Sequence, residues 1–374
     1  MRCIHLSASA ISTFKACPTR YRNAYVEGIR SDEDSTPLRI GTSWHALHED
    51  YHAARLAGEE DPFGVAIARL NGMYEHVPDN KTEEEWAIER VTLAACFTGY
   101  LWYYRDDDDI ETIATEVSFE LPLKHPDIGM DLPLEEVKVL GRIDRLVRRN
   151  GMISVGDYKS TSGSIKSDSS FWGHLRLDTQ ISLYVLAAKT LFPEMDIAGA
   201  FYDVWHKPTI KPKAMSQKNT KALVETGEYC GTEFKVEVGL NDEAENGVLS
   251  VRVDGRLAEI EHGKKGYAIR ETPELYGARL LQDIYERPDF YFARRDIPRT
   301  DDDIRKFEKQ LYNIYQSMKR MQLSGHWFEN EHACEATFRC PYISLCYPNV
   351  DITNGHTPAG FRRIFQDMTV GETE

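Results

Sequence analysis

Between Glu111 and Ser160 the hydrophobic period of the chain switches from helical to alternating, and an Asn-Gly pair sits inside the alternating stretch. Asn-Gly supplies the two left-handed residues of a two-residue hairpin turn. Asn150-Gly151 therefore folds EVKVLGRIDRLVRR back on MISVGDYKS as neighbouring antiparallel strands, with IATEVSFELPL as a third. LRLDTQISLYVLAAKTL then reads as an amphipathic helix and IAGAFYDVW as an apolar strand. Helix, three strands, helix, strand is a mixed α/β core.

The first fifty residues read as two helices around a charged loop. Ser7 or Ser9 caps the first, whose apolar face carries Ile11, Phe14 and Tyr21, and the second starts near Gly41. A third helix spans roughly Glu83 to Tyr104 and ends at the acidic run Asp106 to Asp109. Residues 207–268 are polar, Lys-rich and broken by Gly, as in an insertion of loops and short strands. A helix and strand follow, then the capped helix DDDIRKFEKQLYNIYQSMKRM. The tail, 351–374, shows no pattern and reads as poorly ordered.

No run of about 18 uncharged apolar residues occurs, so no membrane span is expected. MRCIHLSASAISTF has no long apolar run, which argues against a secretory leader and for a cytoplasmic location. A net charge of −15 opposes nucleic-acid binding overall, yet binding follows the local field. Basic residues gather at Arg142 to Arg149, Lys207 to Lys221 and Arg294 to Arg299, and each cluster alone reads as solvated surface. Seven cysteines without a leader point to reduced thiols, some available to metal.

The hairpin carries the chemistry. Side chains alternate along a strand, so Asp157 and Lys159 share a face with Tyr158 opposite. Counting back from the turn puts Asp144 level with Asp157 on the partner strand. Two carboxylates and an ammonium converge, a set suited to a hard divalent cation with a lysine to orient water and stabilise developing charge. The alternative at this point is a surface ion pair across a hairpin. His48-Glu49-Asp-Tyr-His52 also fits H-E-x-x-H, the helical zinc motif of metalloproteases, and otherwise reads as an exposed polar face. No phosphate-binding G-x-x-x-x-G-K-[ST] loop occurs, so strand unwinding would need a separate protein.

These residues resemble the RecB-like branch of the PD-(D/E)XK nucleases, which includes CRISPR-associated and phage exonucleases. The likeness rests on Gly141-Arg-Ile-Asp144, Asp157-Tyr-Lys159, Gln180-Ile-Ser-Leu-Tyr184 on the following helix, and Gly41-Thr-Ser-Trp-His45 on an upstream one. It implies a restriction-endonuclease-like mixed sheet flanked by helices, over a single nuclease domain of residues 1–350. His45, Asp144, Asp157 and the Tyr158 carbonyl would ligate Mg²⁺ or Mn²⁺, Lys159 would be the catalytic lysine, and Gln180 and Tyr184 would support the site or contact DNA. Glu116 could be a further acidic member.

Cys334, Cys340 and Cys346 stand at equal five-residue gaps, and Cys17 precedes Pro18. Four thiolates suit zinc or an iron–sulfur cluster, and spacing does not separate the two. Many family members have C-x-x-C-x5-C instead. The resemblance implies a 4Fe-4S cluster that staples the two ends of the chain. It implies an exonuclease acting on DNA in phage or bacterial recombination, repair or replication, in the host cytoplasm if phage-encoded. A separate helicase or single-strand annealing protein would be its partner. The rivals are the zinc metalloprotease of His48, Glu49 and His52, and a non-catalytic DNA-binding subunit on the same fold.

Overall fold

The computed structural model describes the chain except residues 1, 33–35, 108, 242–247, 264–265, 337–338, 354 and 365–374. The last ten residues of the 351–374 tail and one residue of the acidic run thus lie outside the described residues.

Strand β1 (Ile4–Leu6) leads into α1 (Ala8–Ala16), where Ser7 Oγ accepts from Ala10 N at 3.2 Å. Ser7, and not Ser9, is the cap. Helix α2 (Pro18–Tyr21) runs into a π-helical turn and then β2 (Ile29–Ser31). Helix α3 (Thr36–Ala57) begins a turn earlier than Gly41 suggested, and α4 (Pro62–Met73) lies in a stretch with no assignment from sequence. Helix α5 (Glu83–Tyr103) opens with a reciprocal Thr82–Glu85 capping box, which satisfies two of its free donors.

Strands β3 (Ile110–Pro122), β4 (Val137–Arg149) and β5 (Met152–Thr161) follow as expected. Asn150 and Gly151 take φ of 49° and 78°, the left-handed pair that a primed hairpin turn needs. Helices α6 (Ser170–Leu175) and α7 (Thr179–Leu191) precede β6 (Ile197–His206). The 207–268 stretch holds α8 (Gln217–Thr226) as well as short strands, three of them in one antiparallel sheet. Met215, Leu223, Tyr229, Val251, Val253 and Ile269 give it a small core. Helices α9 (Pro273–Glu286) and α10 (Pro288–Tyr291) lead to β7 (Phe292–Pro298), and α11 (Asp301–Ser324) is capped by Thr300. The chain closes with α12 (Ile343–Cys346) and β8 (Phe361–Arg363). Strand β8 pairs with β2, so part of the seemingly patternless tail is held by a ladder too short to show in a hydrophobic period.

The main sheet runs β1-β4-β5-β6-β7, with β3 also on β4. Strand β3 lines one side of β4 along Lys138–Arg149, so β1 and β5 share the other side. There β1 pairs with Val137–Val139 and β5 with Arg145–Arg149. Beyond the Arg145–Gly156 pair, β5 leaves β4 yet stays parallel to β6 as far as Thr161. The sheet thus forks, and Asp144 and Asp157 are the first residues past the split.

Strand β6 sends Ala200, Tyr202 and Val204 into a core with α1, α7 and α11. Trp205 enters a second core with α3, α5 and α9, where it stacks on Trp44 at 4.4 Å. Such a pair adds about 1 kcal/mol beyond the area it buries.

The two motif glycines differ. A Cβ on Gly141 would lie 2.7 Å from Phe119 Cζ and 3.2 Å from Tyr184 Cε1, whereas one on Gly41 meets nothing within 4 Å. Gly141→Ala is expected to lower stability by about 1–3 kcal/mol, and Gly41→Ala to leave it equal or raise it by up to about 1 kcal/mol. Urea unfolding of both variants checks this, and equal effects would refute it.

Candidate active site

At the fork Asp157 is fully buried, 0% exposed, and a carboxylate in that position must find a positive partner. Lys159, two residues on along the same face, supplies it, with Nζ 2.9 Å from Asp157 Oδ2. Lys159 Nζ also donates to Gln180 Oε1 at 2.6 Å and lies 3.5 Å from Asp178 Oδ2. Burial alone would lower the Lys159 ammonium, but Asp157 and Asp178 lift it above its ordinary value, so it stays charged. Asp178 caps α7 through Gln180 N at 2.8 Å. The cap residue was missed from sequence, although Asp directly before an amphipathic helix marks it.

Gln180 and Tyr184 lie one turn apart on α7. Gln180 Nε2 donates to Tyr184 Oη at 3.3 Å, and the Tyr184 ring fills the space that Gly141 leaves. Helix α7 therefore orients Lys159 through Gln180, and Tyr184 holds Gln180 in turn.

Helix α3 brings His45 Nδ1 to 3.1 Å from Asp144 Oδ2. Burial lowers the His45 imidazolium, and the hydrogen bond and charge of Asp144 more than reverse this, leaving it raised. The Asp157 carboxyl is pushed up to about 6, first by burial and then by Asp144, against the pull of Lys159. Asp144 Oδ2 and Asp157 Oδ2 are both buried and receive no well-aligned hydrogen bond.

Glu116 sits opposite Asp144, between the Thr115–Arg145 and Val117–Ile143 pairs, with a φ of 53°. A left-handed Glu is strained by about 1–3 kcal/mol. Its carboxyl is pushed up to about 7, first by burial and then by Glu49, while Arg142 pairs with it from the rim. Glu49 was not singled out for this role from sequence, because only the fold sets α3 beside β3. Among the described residues no three His, Cys, Asp or Glu side chains stand as a finished metal cage.

Behind the fork lies a buried polar array. Arg145, 2% exposed, donates from Nη1 to His52 Nε2 at 2.9 Å and lies 3.8 Å from Asp203 Oδ2 through Nη2. Asp203 also accepts from Arg294 Nε at 2.9 Å and from the Tyr100 hydroxyl. The Tyr158 ring stacks on His48 at 3.9 Å and has the Arg145 guanidinium 5.0 Å from its centroid. This corrects the expectation of an exposed polar face, since His48 is 0% and His52 9% exposed. It also disfavours a zinc pair. His52 Nε2 is taken by Arg145, and the two rings lie nearly parallel with centroids 6.2 Å apart instead of converging.

The same array corrects part of the reading of two basic clusters as solvated surface. Arg145 and Arg299 are buried and Arg294 is nearly so, the last in its pair with Asp203, while Arg299 donates to Leu175 O at 2.9 Å. Arg142 and Arg148 stay exposed, in pairs with Glu116 and Glu111.

Residues 16–29 and 328–342 are joined by hydrogen bonds. Asn330 Nδ2 donates to Ala16 O at 2.7 Å, Thr19 N to Phe328 O at 3.1 Å, and Tyr342 Oη to Ile29 O at 2.7 Å. Cys340 N bonds Cys334 O at 2.8 Å. Burial pushes the Cys346 thiol up to about 11, with smaller contributions from Cys340, Cys17 and Cys334, and among the described residues these thiols do not form a group placed to hold a metal.

A family model described as the PD-(D/E)XK nuclease superfamily matches residues 5–347. The chain is also 25% identical over 255 residues to one of the subunits of an ATP-dependent helicase/deoxyribonuclease from Moorella thermoacetica, a match covering 59% of this chain and 21% of that protein. It spans about a fifth of that relative's length.

Among the described residues Asp203 is the carboxylate that pairs with the Arg145 guanidinium, and Asp203→Leu removes it. An uncompensated buried charge costs about 3–5 kcal/mol, so the urea midpoint should fall sharply. A loss below about 1 kcal/mol would show that the array is not a paired charge network.

Proposed function

This chain belongs to the PD-(D/E)XK nuclease superfamily, and from that premise we propose that it is a divalent-metal-dependent deoxyribonuclease, an exonuclease that hydrolyses DNA phosphodiester bonds. The observation carrying this reading is the convergence of Asp144, Asp157 and Lys159 at the fork, with His45 and Gln180 delivered by helices on either side. Intact and assembled, these groups also speak against a decayed, non-catalytic subunit.

His45, Asp144, Asp157 and the Tyr158 carbonyl are the proposed ligands of Mg²⁺ or Mn²⁺. The donor set suits a hard cation, and two buried carboxylate oxygens lack a well-aligned donor. The β4-side ladder of β5 ends at Gly156, and the Tyr158 carbonyl lies in the stretch beyond it. A bound divalent ion lowers the pKa of water and offsets charge on the scissile phosphate. Lys159, held by Gln180 and two carboxylates, orients the attacking water and places a fixed positive charge beside the phosphorane. Tyr184 keeps Gln180 in place, and Glu116 and Glu49 add negative charge on the β3 side.

Cys17, Cys334, Cys340 and Cys346 are the proposed ligands of a 4Fe-4S cluster, with zinc as the alternative. The hydrogen bonds joining residues 16–29 to 328–342 support a staple. Residues 1–350 would then be one nuclease domain, with 207–268 as an insertion and 351–374 as a tail anchored by β8. Among the described residues no helix is long and apolar enough to cross a membrane. We place the protein in the cytoplasm, in recombination, repair or replication. The helicase/deoxyribonuclease relative suggests a separate helicase, or an annealing protein, as its companion.

Lys159→Ala should fold, as judged by circular dichroism, and cleave end-labelled DNA in Mg²⁺ at least about a hundredfold more slowly. Undiminished degradation would sink the assignment. Anaerobically purified protein should be brown, with a broad visible absorption band that Cys340→Ser weakens. A colourless preparation carrying zinc would overturn the iron–sulfur reading.

A further inference from the structure

Of the three basic clusters in the sequence, the structure consumes two in ion pairs and carbonyl contacts. The third, Lys207 to Lys221, has five lysines and no acidic residue in a chain of net charge −15. It starts where the site ends. Strands β5 and β6 run parallel, Lys159 is level with Val204, and Lys207 N donates to Thr161 O at 2.8 Å. The segment thus leaves the sheet at the carboxyl ends of the strands that carry the lysine of the site, where open α/β sheets bind their ligands.

The segment is also fixed in place. Its backbone is fastened by Glu271, 1% exposed, which accepts from Lys213 N at 3.0 Å, Tyr229 Oη at 2.8 Å and Arg279 Nη2 at 2.7 Å. Arg279 Nη2 also donates to Lys211 O at 2.8 Å, and Tyr276 Oη to Ile210 O at 3.1 Å. A buried carboxylate and two α9 side chains thus hold the main chain from below. The side chains of Lys211, Lys213, Lys218 and Lys221 stay exposed. Among the described residues the first three ammonium groups enter no ion pair, and Lys221 makes only a 3.6 Å helical pair with Glu225.

We propose that Lys211, Lys213 and Lys218 form a phosphate track that binds the backbone of the DNA strand beside the cleavage site, and that the 207–268 insertion exists to present it. This rests on the nuclease reading and adds where the strand lies. The track reads charge and not sequence, because a point ammonium on a flexible stem bonds any phosphate.

The test is the salt dependence of binding to a dye-labelled single-stranded oligonucleotide in EDTA, which stops cleavage. Each lost phosphate contact lowers the log–log salt slope by about 0.7. Lys211→Gln, Lys213→Gln and Lys218→Gln combined should therefore flatten it by about 2 and weaken binding about a hundredfold at about 0.1 M salt. A control triple on the outer face of α11, Lys306→Gln, Lys309→Gln and Arg320→Gln, makes the same change in net charge and should leave the slope near wild type. A wild-type slope in the first triple, or an equal drop in the control, overturns the track while leaving the nuclease standing. A native protein that neither binds nor cuts DNA overturns both.

Discussion

The parting of β5 from β4 after the Arg145–Gly156 pair is the constraint on which the rest depends. An unbroken ladder would bring Asp144 and Asp157 into cross-strand contact, where two carboxylates repel. The fork opens a space between them that a cation can relieve, and it leaves β5 backbone beyond Gly156 without a β4 partner. Strand β1 holds the same side of β4 lower down, at Val137–Val139, so the opening is bounded at both ends. Helix α7 packs beside it on one side and α3 on the other.

The two faces of the fork handle charge differently. At the fork burial first, and then neighbouring carboxylates, hold the Asp157 and Glu116 carboxyls raised. Behind Tyr158 the charges are matched, with Arg145 and Arg294 facing Asp203 and Asp107. The ring of Tyr158 stands between these two fields at the level of the site. Its contacts with His48 and Arg145 therefore fix the backbone on which Asp157 and Lys159 are mounted. The overall charge of −15 hides this arrangement, since the matched set adds nothing to it.

What the sequence disclosed was what is local. The hairpin register follows from Asn150-Gly151 and strand alternation, and the residues of α7 follow from helical spacing. Asp178 was legible as a cap, though not as a partner of Lys159. Arg145, Asp203 and Arg294 gave no signal, because a buried charge triad is assembled from three strands far apart in the chain. His48 and His52 misled for the same reason: nothing nearby in sequence announces that an arginine from β4 will use one ring and a tyrosine from β5 cover the other. Strands β1, β2 and β8, at three residues each, are too short for any period to register.

The pairing of β8 with β2 has an effect on the order in which the molecule can mature. Emerging vectorially from a ribosome, residues 17–31 find none of these partners until residues 328–364 have followed them out. The hairpin with Asp144 and Asp157 can form long before that. A nascent chain therefore holds the Asp144–Asp157 hairpin early but lacks the β2–β8 ladder, and β2 is protected from local opening only once the strand that covers it has been made.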